Sequence, residues 1–306
     1  MSGVFTGFAT IAVVIGLGAL LAHLHFLDLG AQYLLSRLAF FVASPALMVG
    51  TIAQADVQTV LSHNLLASLA GVLVAVLAYV IPARLLWHRN KGDTTIGALS
   101  SAYVNAGNLG IPVASYVLGD AAYVAPTLLL QLLVLQPIAL AVLDADAHHG
   151  RLRLGQLALR PFRNPLTVGS LIGLLLALTG WRLPAFADDP VTLVGHMAVP
   201  MMLIAYGIAL RLGPGLGAAG SAAELVTTST LKLAVQPLTA FVVASLLGVK
   251  GHALLAIVVT SALPTAQNIF VHATRYDRAT TLARDTILIT TVGSVPVILT
   301  AAWLLG

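Results

Sequence analysis

The chain has 306 residues, of which 58% are apolar and only 8% charged, with a mean hydropathy of +0.96 and no cysteine. A water-soluble fold of this length carries roughly a quarter charged residues. Soluble enzymes and nucleic-acid binders are therefore excluded, and the chain is assigned to lipid. The lack of cysteine excludes disulfide scaffolds, thiolate metal sites and cysteine nucleophiles, and the net charge of +4 bears on orientation before anything else.

A helix that crosses the hydrocarbon needs roughly 20 mostly apolar residues. Such runs fall at about 4–25, 33–54, 64–87, 95–119, 121–143, 164–182, 191–211, 223–248, 252–275 and 280–304, which gives ten predicted spans. The first has no Lys or Arg ahead of it and no small-residue cleavage site near its end, so it is expected to be a retained helix and not a signal peptide. Span 3 carries no charge between Asn64 and Pro82. Span 4 holds Asn105, Gly107, Asn108, Gly110 and Pro112 within a few residues; Gln131 and Gln136 in span 5 and Gln236 in span 8 are polar but not titratable, and each reads equally as a helix–helix hydrogen bond or a ligand. The connection after span 5 contains Asp144, Asp146, His148 and His149 beside Arg151 and Arg153, read as a solvated mixed-charge loop and not a metal site. Span 8 contains Lys232 about eight residues in, span 9 contains Pro264, Thr265, Gln267 and Asn268, and Asp285 follows Arg284 at the start of span 10.

Charge orients the bundle. The odd-numbered connections collect twelve Lys or Arg residues and the even-numbered ones two, Arg182 and Lys250. By the positive-inside rule the odd connections are cytoplasmic and both termini lie on the extracellular or periplasmic side of the cell (inner or plasma) membrane. The prolines then suggest a repeat. Pro45, Pro82, Pro112 and Pro137 precede Pro200, Pro237, Pro264 and Pro296 by 155, 155, 152 and 159 residues. Five spans per half is an odd number, so the second half enters the membrane inverted, the plan of secondary transporters. The predicted fold is an all-α membrane protein: 1–145 as the first five-helix repeat, 146–163 as a cytoplasmic connection and 164–306 as the inverted second repeat.

Spans 4 and 9 occupy matching positions, and both are expected to break. Gly costs a helix about 1 kcal/mol and Pro about 3, and Asn competes for backbone partners. Unwound backbone at this depth is tolerated only where it lines a cavity or is buried in protein. Two such breaks would cross and present two half-helix N-termini, each with free N–H groups and about half a positive charge. The candidate substrate-binding residues are therefore Asn105, Asn108, Gly110, Pro112, Pro264, Thr265, Gln267 and Asn268. Lys232, at a position where a charge costs about 3 kcal/mol, is a counter-charge for an anion or stands where a coupling ion would sit; snorkelling to the interface is the structural alternative. His196 and His272 read as packed or interfacial histidines.

At these residues the chain resembles the auxin efflux carrier family. Asn105, Gly110 and Pro112 match its span 4 pattern; Pro264, Ala266, Asn268, Ala273 and Tyr276 match span 9; Ser44-Pro45-Ala46-Leu47 is similar to its span 2 signature. The resemblance implies ten helices with two broken crossover helices, of the bile acid symporter and sodium/proton antiporter type. It implies a scaffold of helices 1, 2, 6 and 7, a homodimer through helices 2 and 7, and a moving transport domain of helices 3–5 and 8–10. It also implies substrate contact by Asn105 and Asn268. Asn108 departs from the family, and the long loop of plant members is missing. The expected function is a secondary transporter, not an enzyme, moving a small organic anion (a mono- or dicarboxylate, possibly auxin-like) by elevator-type alternating access. A sodium or cation/proton exchanger of the same fold is the first alternative, and a non-transporting ligand receptor the second. No cofactor or metal is expected. Proton symport, sodium symport and uniport all remain open.

Overall fold

The computed structural model describes residues 2–54, 63–148, 165–213 and 222–306, and every regular element among them is helical. The connection carrying His149, Arg151, Arg153, Arg160 and Arg163 lies outside the described residues. The elements are α1 (Ser2–His23), α2 (Leu29–Gln54), α3 (His63–Leu85), α4 (Lys91–Ala102), α5 (Ile111–Val117), α6 (121–148), α7 (Pro165–Thr179), α8 (Ala185–Leu212), α9 (Ala222–Leu246), α10 (Gly251–Ser261), α11 (Asn268–Tyr276) and α12 (Thr280–Leu305). Of these, α2, α3, α8, α9 and α12 are long and apolar enough to cross a bilayer. Two of the starts that differ from the sequence reading have a visible local cause. Helix α4 begins at Lys91 because Asn90 caps it, its Oδ1 accepting from the Asp93 N–H at 2.7 Å. Helix α8 begins at Ala185, since Asp188 sits in the first turn, where the helix dipole favours an acid.

The chain clusters into two compact units. The first is built from α1, α2, α5, the opening of α6, α7 and α8. Lipid gives apolar faces no reason to pair, so helices associate through close backbone approach at small residues. Helices α1 and α8 do this at Gly18 and Gly207: a Cβ on Gly207 would fall on the Ile15 carbonyl, and one on Gly18 on the Ile204 carbonyl. Helix α7 lies on α2 in the same way, with Gly169 against the Pro45 carbonyl and Gly173 against that of Met48.

The second unit comprises α3, α4, the remainder of α6 and α9–α12. One of its buried clusters joins Ile96, Leu99, Leu143, Ile269 and Ala273; a second joins Tyr79, Ala83, Leu231 and Leu282. Ionic contacts secure the turn regions. Arg89 Nε donates to Glu224 at 2.6 Å, and Arg278 Nε to Asp146 at 2.9 Å. These bonds push both guanidinium groups further above their ordinary values. The reading of Asp144 and Asp146 as a solvated loop is corrected here. Helix α6 continues to His148, and Asp144 accepts from the Tyr276 hydroxyl at 2.6 Å. Both aspartates are fastened to the α11–α12 turn, and Ala279 N–H in that turn donates to Asp93 Oδ1 at 2.9 Å.

Four widened π-turns interrupt these helices, at Ala39–Ala43, Ala106–Gly110, Gln131–Leu135 and Leu231–Val235. Each ends two residues before a proline: Pro45, Pro112, Pro137 and Pro237. A proline ring collides with the carbonyl four residues back and has no N–H to offer it. That carbonyl belongs to Phe41, Asn108, Leu133 or Leu233, the middle residue of each π-turn. One extra residue in the turn moves it aside. Pro82 and Pro296 lie within α3 and α12 without such a turn. The dipeptide Gln-Pro therefore tracks the π-turns of α6 and α9 better than the 155- and 159-residue offsets do.

Candidate functional site: a pair of crossed helix breaks

Helix α4 ends at Ala102, and Tyr103 turns extended at φ −85°, ψ 106°. Helix α10 ends at Ser261, and six residues separate it from α11, which begins at Asn268. The two unwound strands pair antiparallel through a bridge between Val104 and Thr265. Asn105 N–H donates to the Pro264 carbonyl at 2.7 Å, and Ala266 N–H to the Tyr103 carbonyl at 3.0 Å. Buried backbone without a partner is costly; each break supplies the partners of the other. Val104 and Thr265 are wholly buried, and Asn105 is 3% exposed.

Side chains complete the junction. Thr265 Oγ1 donates to the Ser100 carbonyl at 2.6 Å, while its N–H donates to Thr290 Oγ1 at 3.1 Å. Gln236 Nε2 donates to the Ala102 carbonyl at 3.0 Å. Lys232 Nζ donates to Gln236 Oε1 at 2.6 Å and to the Ser261 carbonyl at 2.9 Å. Lys232 is wholly buried, so it does not snorkel. The last carbonyls of a helix lack intrahelical partners and carry its negative end; a cation and an amide meet those of α10 and α4. The π-turn of α9 contains Lys232 and ends just before Gln236. Near the start of α11, the Tyr103 hydroxyl donates to Gln136 Oε1 at 2.9 Å and also hydrogen-bonds Asn268.

The structure thus gathers Asn105, Pro264, Thr265 and Asn268 about one junction, with Gln267 half-buried next to Asn268. Lys232 joins the junction from α9. Gly110 and Pro112 open α5 and group with the first unit, as does Asn108 in the preceding π-turn, whose side chain is not among those described. Sequence reasoning missed Thr290 and gave Tyr103 no role. It left Gln136 and Gln236 undecided between helix contact and ligand. The signal for both glutamines was present in the repeated Gln-Pro step. Thr290 had none, because threonine in an apolar helix ordinarily bonds its own backbone, as Thr290 Oγ1 also does to the Thr286 carbonyl.

A chain of apolar helices, with a polar backbone crossing enclosed in one of its units, is an integral membrane protein. The profile of the family described as membrane transport protein matches residues 4–145 and 144–302, so the chain belongs to that family, the auxin efflux carrier-like permeases. It is a transporter and not an enzyme. Among individual relatives, a Rhizobium meliloti protein named as a candidate malonate transporter is 25% identical over 268 residues, covering 85% of this chain and 83% of its own. An uncharacterized transporter of Methanocaldococcus jannaschii is 23% identical over 89% of both chains. Auxin efflux carrier component 7 of Arabidopsis thaliana is 31% identical over 123 residues, 38% of this chain and 19% of the plant protein.

Proposed function

We propose that the chain is a secondary transporter that carries a small carboxylate, with malonate the first candidate, by elevator-type alternating access. The observation that carries this reading is the buried crossing of 103–105 with 264–266, flanked by amide side chains and by the opening turn of α11. The first N–H groups of a helix are unpaired within it and bear partial positive charge. A carboxylate held there would be met by the amides of Asn105, Gln267 and Asn268, with Thr265, whose donors go to Ser100 and Thr290, fixing the backbone beside them and Lys232 lying within the same unit. The malonate name of the Rhizobium relative supports a dicarboxylate.

The proposed architecture is ten helices in a 5+5 inverted repeat, with both termini outside. Helices 1, 2, 6 and 7 form the scaffold, which dimerises through 2 and 7 (α2 and α8 here), and helices 3–5 and 8–10 move. The division of the chain into two compact units supports a partition of this kind, although residues 106–129 group with the first unit. An element that moves as a body must be internally tied, and the bonds from α9, α11 and α12 to the crossing tie the second unit.

Uptake of labelled malonate, succinate, acetate and indole-3-acetate into proteoliposomes tests the reading. Asn105→Ala and Asn268→Ala are expected to cut the flux of the accepted acid at least tenfold, the effect of losing one hydrogen bond to a charged group, about 1.5–3 kcal/mol. Asn108→Ala asks separately whether the turn before α5 takes part. No flux of any acid, with sodium/proton exchange in its place, would transfer the chain to the exchanger reading.

A further inference from the structure

The negative ends of half-helices inside secondary transporters are where free coupling cations bind, through terminal and unwound carbonyls. In this chain the corresponding oxygen is taken. The ammonium of Lys232, wholly buried, lies 2.9 Å from the Ser261 carbonyl at the end of α10 and 2.6 Å from Gln236 Oε1. Gln236 is held in turn by the Ala102 carbonyl at the end of α4, so both broken helices end on this one pair of side chains. Two neutral oxygens, one of them a helix-terminal carbonyl, offer what a monovalent cation seeks. A lysine has three donors and no acceptor, which suits it to such a place. The π-turn at Leu231–Val235 contains Lys232, and the Gln236 N–H reaches back five residues to the Leu231 carbonyl, so one turn of α9 carries both side chains.

We infer that Lys232 is a tethered cation occupying a monovalent alkali-cation site, and that shortening its side chain opens that site to a free ion. The tether keeps the amine in place, so this chain needs no sodium or potassium to hold its crossing together. The inference goes beyond the carboxylate reading and is tested without transport, so absence of flux for every acid would leave it standing.

The experiment follows thermal unfolding of purified wild type, Lys232→Ala, Lys232→Ser and Lys232→Met, titrated with sodium, lithium or potassium chloride against choline chloride at equal ionic strength. Binding of radiolabelled sodium is measured in parallel. Wild type and Lys232→Met, in which the space stays filled, are expected to show no difference between alkali salts and choline. Lys232→Ala and Lys232→Ser are expected to show a saturable rise of several degrees with at least one alkali cation, because a ligand that binds only the folded state stabilises it. Recovery of these two variants only in the presence of an alkali salt would support the inference equally. It is overturned if the folded Ala and Ser variants ignore all three cations, if wild type responds as they do, or if neither variant is recovered in any salt.

Discussion

At the scale of single residues, the glutamine of α9 ranks above the asparagines for stability, although the asparagines stand out more in the sequence. Gln236 joins a backbone carbonyl of α4 to the ammonium of Lys232. Replacing it with leucine removes both bonds, leaving a buried carbonyl bare and an ammonium short of one acceptor; a cost of about 2–4 kcal/mol follows. A fall of several degrees in melting temperature would register it, whereas Asn105→Ala should lower flux more than stability. Arg89 gives a different case. Glu224 has a side-chain exposure of only 4% and loses its guanidinium partner in Arg89→Ala. Arg89 itself is 38% exposed, so solvent screens the pair and the expected loss is about 1–2 kcal/mol, read as a lower midpoint in denaturant. The sign with pH follows from the raised guanidinium value. Its contribution is complete below the ordinary guanidinium value and is lost only as pH rises through the still higher folded one. Stability from this pair should stay flat between neutral pH and about pH 10. The charge of Lys232 was conspicuous in the sequence, but its acceptor was not. A lysine among apolar residues announces itself, whereas the Ser261 carbonyl becomes available only because α10 stops there.

Among the elements, the places where α4 and α10 stop were legible and the π-turns were not. Gly, Asn and Pro clustered in apolar runs mark where helices fail, because each has a definite energetic penalty there. Widening of the turn before a proline depends on whether the neighbours leave room, and Pro82 and Pro296 carry the same chemistry without it. Asp144 and Asp146 were misread for a related reason: their partners Tyr276 and Arg278 lie 132 residues away, and only folding makes them neighbours. Helix α9 offers a direct test. Pro237→Ala removes the collision that widens the preceding turn, so that turn is expected to tighten to an α-helical one. Such tightening would rotate Lys232 and Gln236 relative to each other by about 100°. Double-mutant analysis with Gln236→Ala should then show the pair decoupled, the two changes together costing less than their sum.

For the molecule as a whole, the described chain passes between its two compact units at 105/106 and at 129/130. The first passage follows directly on the crossed breaks. The first unit relies on backbone contact between helices, so Gly207→Leu is expected to abolish its assembly and leave no folded protein in detergent; Gly16→Leu, at a position with open space, should be tolerated. A matched pair of size-exclusion profiles distinguishes them.

The pairing of Val104 with Thr265 also bears on how such a chain can change over generations. Mending the break after α10 would strand the Asn105 N–H and the Tyr103 carbonyl, and mending the break after α4 would strand the Ala266 N–H and the Pro264 carbonyl, because each takes its partner from across the crossing. Neither break can be repaired alone without leaving buried backbone groups of the other unpaired. The two segments, some 160 positions apart, are thus inherited as a single character, and substitutions in one should be read together with the residue facing it in the other.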